Sequence, residues 1–179
     1  MELTRADPGV AAEYHARGWW GDDTVGSIVA ARASVQPDEV AFIADGRRST
    51  WADYHADADD IALAILAAEP ERGERIAVMM PDGPAVHAVF VGIERAGCVA
   101  VGIGARAGDR EVAHLLSLTG ARTLITAPEQ HGRTAAALRS DVAAIDTTVD
   151  RHLLVGLDAR VVDAALPDGV EVDPDCPFR

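Results

Sequence analysis

The sequence predicts an α/β fold: βαβ units that build a mainly parallel sheet flanked by helices, with a short N-terminal hairpin. Two observations predict it. From residue 75 onward, short apolar runs alternate with stretches of helical periodicity, the pattern of strands buried on both faces and joined by helices. Before that point, Asp45-Gly46 sits between two short runs and marks a tight hairpin turn.

Each element has its own reason. Thr24 caps a helix over 24–34, where Val25, Ile28, Val29 and Arg32 fall on successive turns, and Pro37 stops it. The run 40–44, the Asp45-Gly46 turn and 47–49 form the hairpin. Thr50 with Asp53 three residues on forms a capping box for the next helix, which ends at Pro70 and Gly73. In that helix Tyr54, Ala58, Ile61, Ile65 and Leu66 make the apolar face, and Asp53, Asp57 and Asp60 the solvated one. Strands are expected at 75–80, 98–103, 122–126 and 152–156. The intervening helices start at Pro84 (with Val86, Phe90 and Ile93 inward), at Asp109 as a cap and closed by Gly120, and over 128–138. These βαβ units are Rossmann-like. The segment 167–179 holds three prolines and three aspartates without periodicity and reads as a linker.

Composition bounds the chemistry. Hydrophobic residues make up 49% and charged residues 25%, as in an ordinary globular domain. The net charge of −13 opposes binding to a nucleic-acid backbone or an anionic membrane surface. No apolar run approaches the ~20 residues of a membrane span, and a cytoplasmic location is the expectation. All 16 basic residues are Arg, so these residues contain no Schiff-base or phosphate-loop lysine. Cys98 and Cys176 are far apart, and the six histidines form no H-x-x-x-H pair, which argues against a zinc site or disulfide framework.

The constellation with most chemical content is the run from Gly102 to Gly108, with Gly104 between, placed between a strand and a helix. Such a loop suits a pyrophosphate held by backbone N–H groups, but its spacing is G-x-G-x-x-x-G, and a close-packing turn is the alternative. Arg106 and Arg110 flank it as candidate phosphate partners. Tyr14, Trp19 and Trp20 read as a ligand platform or as an anchor for the N-terminal arm. Asp57, Asp59 and Asp60 read as a solvated helix face rather than a cation site. Ser27 lacks the second glycine of a nucleophile elbow.

Four segments together carry a resemblance. Asp45 to Asp53, through Thr50-Trp51, resembles the Gly…Thr-Tyr-x-Glu-Leu segment of adenylate-forming acyl-CoA synthetases (the ANL superfamily). Gly73-Glu74-Arg75 through Pro81-Asp82 resembles their Gly-Asp-Arg-Val-Ala…Pro-Asn, and Ala96-Gly97-Cys98 through Val101 their Ala-Gly-Ala-Val-x-Val. Arg110-Glu111 through Leu116, then Thr119 to Thr126, resembles their Glu-Leu…Ser-Gly-Ala-Lys-hydrophobic-Ile. The four lie in family order across most of 22–128. Tyr14 to Trp20 with the 102–108 loop is similar to cyclohexanecarboxylate-type CoA ligases, which implies a bulky or alicyclic carboxylic acid.

The resemblance implies a ligase that uses ATP, Mg²⁺ and CoA to convert a carboxylic acid to acyl-AMP and then to acyl-CoA. It implies that 1–22 is an arm, 23–166 the N-terminal α/β subdomain, and 167–179 a linker to a lysine-bearing phosphate loop not among these residues. The chain alone is expected to be inactive, to bind none of these cofactors tightly, to be truncated relative to the ligase, and to depend on the remainder of that chain. Gly132-Arg133 resembles a Gly-Arg near the CoA nucleotide of acetyl-CoA synthetase, which implies that Arg133 meets a CoA phosphate. Two other readings stay open: a dinucleotide-binding domain built on 102–108, and the non-catalytic half of a split ligase.

Overall fold

The computed structural model describes residues 7–145 and 149–165. Helix α1 (Pro8–Ala16) precedes α2 (Val25–Val35), the hairpin β1 (Val40–Ala44) and β2 (Arg47–Thr50), and α3 (Trp51–Leu66). Then come β3 (Arg75–Met79), α4 (Pro84–Arg95), β4 (Val99–Gly102), α5 (Asp109–Thr119) and β5 (Thr123–Thr126). A two-residue-stranded ribbon, β6 (Glu129–Gln130) and β7 (Arg133–Thr134), leads into α6 (Ala135–Ala143), β8 (Arg151–Val155) and β9 (Val161–Ala165).

The central sheet has five strands in the order β4-β3-β5-β8-β9. All neighbours are parallel except β8 and β9. Alternation along β3 divides the core between the two faces of the sheet. Ile76, Val78 and Met80 join α2, α3 and α4 in one cluster, while Ala77 and Met79 join α5 and α6 in the other. The sheet is therefore doubly wound, as the buried strands predict.

The local signals placed the elements for the expected reasons. Asp45 and Gly46 have φ of 50° and 75°, the pair of positive values that a two-residue hairpin turn requires. Thr50 and Asp53 form the reciprocal capping box, and the bonds from Thr50 hold the Asp53 carboxyl below its usual range. Where α3 crosses α4, Gly92 provides the close approach: a Cβ there would lie 2.7 Å from Ile61 Cγ2 and 3.0 Å from the Ala58 carbonyl. Arg95 ties the same helices together, donating to Asp59 at 2.7 Å and to His55 Nδ1 at 2.8 Å. Since guanidinium only donates, Nδ1 of His55 is the acceptor.

Several expectations are corrected. The helix placed at 128–138 is instead the β6–β7 ribbon followed by α6, because His131 and Gly132 adopt positive φ (53° and 72°) and Thr134 supplies the cap. Asp109 is the first residue of α5 and not its cap; Gly108 holds that position. Phe90 is 36% exposed, and Val25 and Ile28 of α2 also face outward while Gly26 and Val29 are buried. Asp57 is half-buried rather than fully solvated, and it faces Asp158 and Arg160 of the β8–β9 turn. Strand β9 was not expected at all. Tyr14 packs edge-on to Trp19 and Trp20, but α1 buries no residue and the tryptophans stay 62% and 42% exposed, so the cluster closes on itself instead of anchoring the arm. The expected linker 167–179 lies outside the described residues.

Candidate functional site

In doubly wound sheets, ligands sit beyond the carboxyl ends of the strands where the strand order reverses. Here the chain runs from β3 to β4 on one side, then returns past β3 to β5 on the other. The reversal lies between β3 and β5. Two cavities open there. One, of about 330 Å³, sits beyond Met79 and Thr126 and is lined also by Arg106, Gln130, Arg133 and Leu138. The other, of about 570 Å³, is lined by Met80, Asp82, Phe90, Gly102, Gly104 and Glu111. Ala105, Arg106, Ala107 and His131 belong to both, so the 102–108 loop is the wall between them.

That loop does not need its glycines for conformation. Gly102, Gly104 and Gly108 are absent from the residues with positive φ, and a Cβ on any of them would meet nothing within 4 Å. It also follows β4, the edge strand, whereas the strand next to the reversal is β3. A pyrophosphate cradle built on 102–108 thus has neither the strained turn nor the tight backbone packing that its fingerprint serves.

The β6–β7 ribbon closes the smaller cavity. Gln130 Nε2 donates to the Ala105 carbonyl across the cleft, and Gln130 Oε1 is buried with no hydrogen-bond partner among the described residues. Arg133 is fixed from two sides, by Asp109 Oδ1 at 2.5 Å and Asp141 Oδ2 at 2.6 Å. The Asp109 hydrogen bond holds the guanidinium pKa above its ordinary value. Beneath the floor, Thr126 Oγ1 and His152 Nε2 are 2.9 Å apart and buried, joining β5 to β8. Among the described residues, no three His, Cys, Asp or Glu gather closely enough to hold a metal ion.

Of the residues singled out in the sequence, Arg106 and Arg133 meet at one cleft. Arg110 is exposed and lines neither cavity, and the Trp19-Trp20 cluster lines neither. Asp109 was read only as a helix cap, and Gln130 and Asp141 were not singled out, since carboxylates and amides on helix and ribbon surfaces carry no local signal of a common partner.

Residues 29–175 match the family model for the AMP-binding enzyme. The chain belongs to that family. Feruloyl-CoA synthase of an Amycolatopsis species is 32% identical to this chain over 75% of its residues, and the match covers 29% of the relative. Triostin synthetase I of Streptomyces triostinicus is 28% identical over 84% of this chain and 28% of its own length. The apo structure of MbtA from Mycobacterium smegmatis superposes with a TM-score of 0.75 at 25% identity, over 96% of this chain and 33% of that one. The chain thus spans less than a third of the length of these curated relatives. The match agrees with the resemblance carried by the four motif segments. No helix among the described residues is long and apolar enough to cross a membrane.

Proposed function

We propose that this chain is the N-terminal portion of an ATP-dependent acyl- or aryl-CoA ligase, inactive by itself. In the intact enzyme a carboxylic acid would attack the α-phosphate of ATP to give acyl-AMP and pyrophosphate, and the thiol of CoA would then take the acyl group. The observation that carries this reading is the family match over 29–175, laid on a sheet whose reversal point opens a two-sided cleft. Residues 23–166 form the N-terminal subdomain in this reading, 1–22 an arm, and 167–179 the lead into the phosphate loop, in a cytoplasmic enzyme. Mg²⁺ would be bound in the intact enzyme chiefly through the ATP phosphates, with few ligands from protein.

Arg133 is the residue of this chain we assign to a CoA phosphate. Arg133 lines the cleft, and the planar fork of a guanidinium suits a phosphate oxygen pair. The acid is proposed to be bulky and ring-bearing, alicyclic or aromatic. The feruloyl-CoA synthase relative favours that class.

ATP–pyrophosphate exchange and hydroxamate trapping test the proposal with a panel of cyclic carboxylic acids. The isolated chain should be silent, and the chain extended to family length should exchange. An extended chain that is folded yet silent with every acid would refute the assignment.

A further inference from the structure

The pairing of Arg133 raises a difficulty for any anion that approaches it. Asp109 and Asp141 together bring two negative charges to one guanidinium, so the trio carries a net charge of −1. A phosphate entering the cleft meets a cation already over-neutralised. The two carboxylates are not equivalent, however. Asp109 is the first residue of α5, where the positive end of the helix dipole favours a carboxylate. Asp141 lies in the last turn of α6, where the dipole disfavours one. The Asp109 side chain is 34% exposed, against 58% for Asp141. Exposed pairs of the second kind contribute only about 0–1 kcal/mol.

We propose that Asp141 is an exchangeable stand-in for a phosphate: it holds the outer edge of Arg133 until a phosphomonoester dianion displaces it. Asp109 stays in place and holds the Nη1 edge, which makes both carboxylates positioning residues. This inference rests on the assignment of Arg133 to a phosphate in the preceding subsection. It adds a penalty against anions that cannot replace a carboxylate at the Nη2 edge.

The test is a titration of this chain with adenosine 3′,5′-bisphosphate at low ionic strength, followed by NMR of the Arg133 guanidinium and of neighbouring backbone amides. Asp141→Asn should tighten the dissociation constant about two- to fivefold, equivalent to about 0.4–1 kcal/mol of competition removed. Asp109→Asn should weaken it, because Arg133 then swings toward Asp141. Asp150→Asn makes the same change in net charge at the opposite end of the strands, where Asp150 pairs with Arg122, and should leave binding unchanged. No gain in Asp141→Asn, an equal gain in Asp150→Asn, or no saturable shift at Arg133 in any variant would overturn the proposal. Failure of the ligase reading looks different: the extended chain would be inactive whatever these constants are.

Discussion

Replacing Asp57 by Asn should stabilise the folded chain at neutral pH, with a size that can be worked from the surroundings of the carboxylate. Burial, followed by Asp53, Asp60 and Asp158, pushes its pKa from 3.8 up to about 6, with Arg160 of the β8–β9 turn opposing. The raised value means the charged form is penalised in the folded state. Well below pH 3.8 the group is protonated in both states and costs nothing. As pH rises toward about 6 the cost grows, and above that it is fully present. A difference of that size corresponds to about 3 kcal/mol at ~1.36 kcal/mol per pH unit. Solvent screening of a half-buried group reduces the expectation to roughly 1–2 kcal/mol, or about 2–8 °C in Tm for a chain of this length. Urea unfolding of wild type and Asp57→Asn at intervals from pH 4 to 8 gives the difference directly and cancels the other titrating groups. The gain should be roughly a fifth of its full size at pH 4 and complete by pH 7. Asp38→Asn, on an exposed loop, should show no such curve. A difference that stays flat across this range, or a loss of stability at pH 8, would refute the reasoning.

Three further outcomes are expected. Gly92→Ala would ordinarily stabilise a helix by about 1 kcal/mol, but here the added methyl strikes Ile61 and the Ala58 carbonyl, so chemical denaturation should show a loss of about 1–3 kcal/mol. Glu74→Ala removes the 3.0 Å partner of the largely buried Arg151 but leaves Asp150 3.4 Å from its Nε, so a loss of about 1–3 kcal/mol is expected by the same measurement, against less for a Glu74→Gln variant that keeps a hydrogen-bond acceptor. Gly104→Val should change stability by less than about 0.5 kcal/mol, since φ there is not positive and the space is open; a large loss, or loss of nicotinamide-dinucleotide binding detected by calorimetry, would revive the dinucleotide reading.

The sequence by itself determined the order and type of most elements, and the reason is local. Strands β3 and β5 are short apolar runs, Asp45-Gly46 demands positive φ, and Thr50 with Asp53 satisfies the first turn of α3 from within four residues. The same locality made the four family segments readable. Where a competing turn intervened, local reading failed: His131-Gly132 made a ribbon of the stretch read as the start of a helix. The tertiary structure alone decided the rest. The strand order put the reversal between β3 and β5, and so made a cleft of residues as distant as Met79 and Arg133. It set Asp57 against a turn 100 residues away and turned its apparent solvent face into a pH-sensitive contact. It also brought Asp109 and Asp141 to one guanidinium. Periodicity reports which side of an element is apolar, but the partner that covers that side, and the charge it carries, is fixed only when distant segments meet.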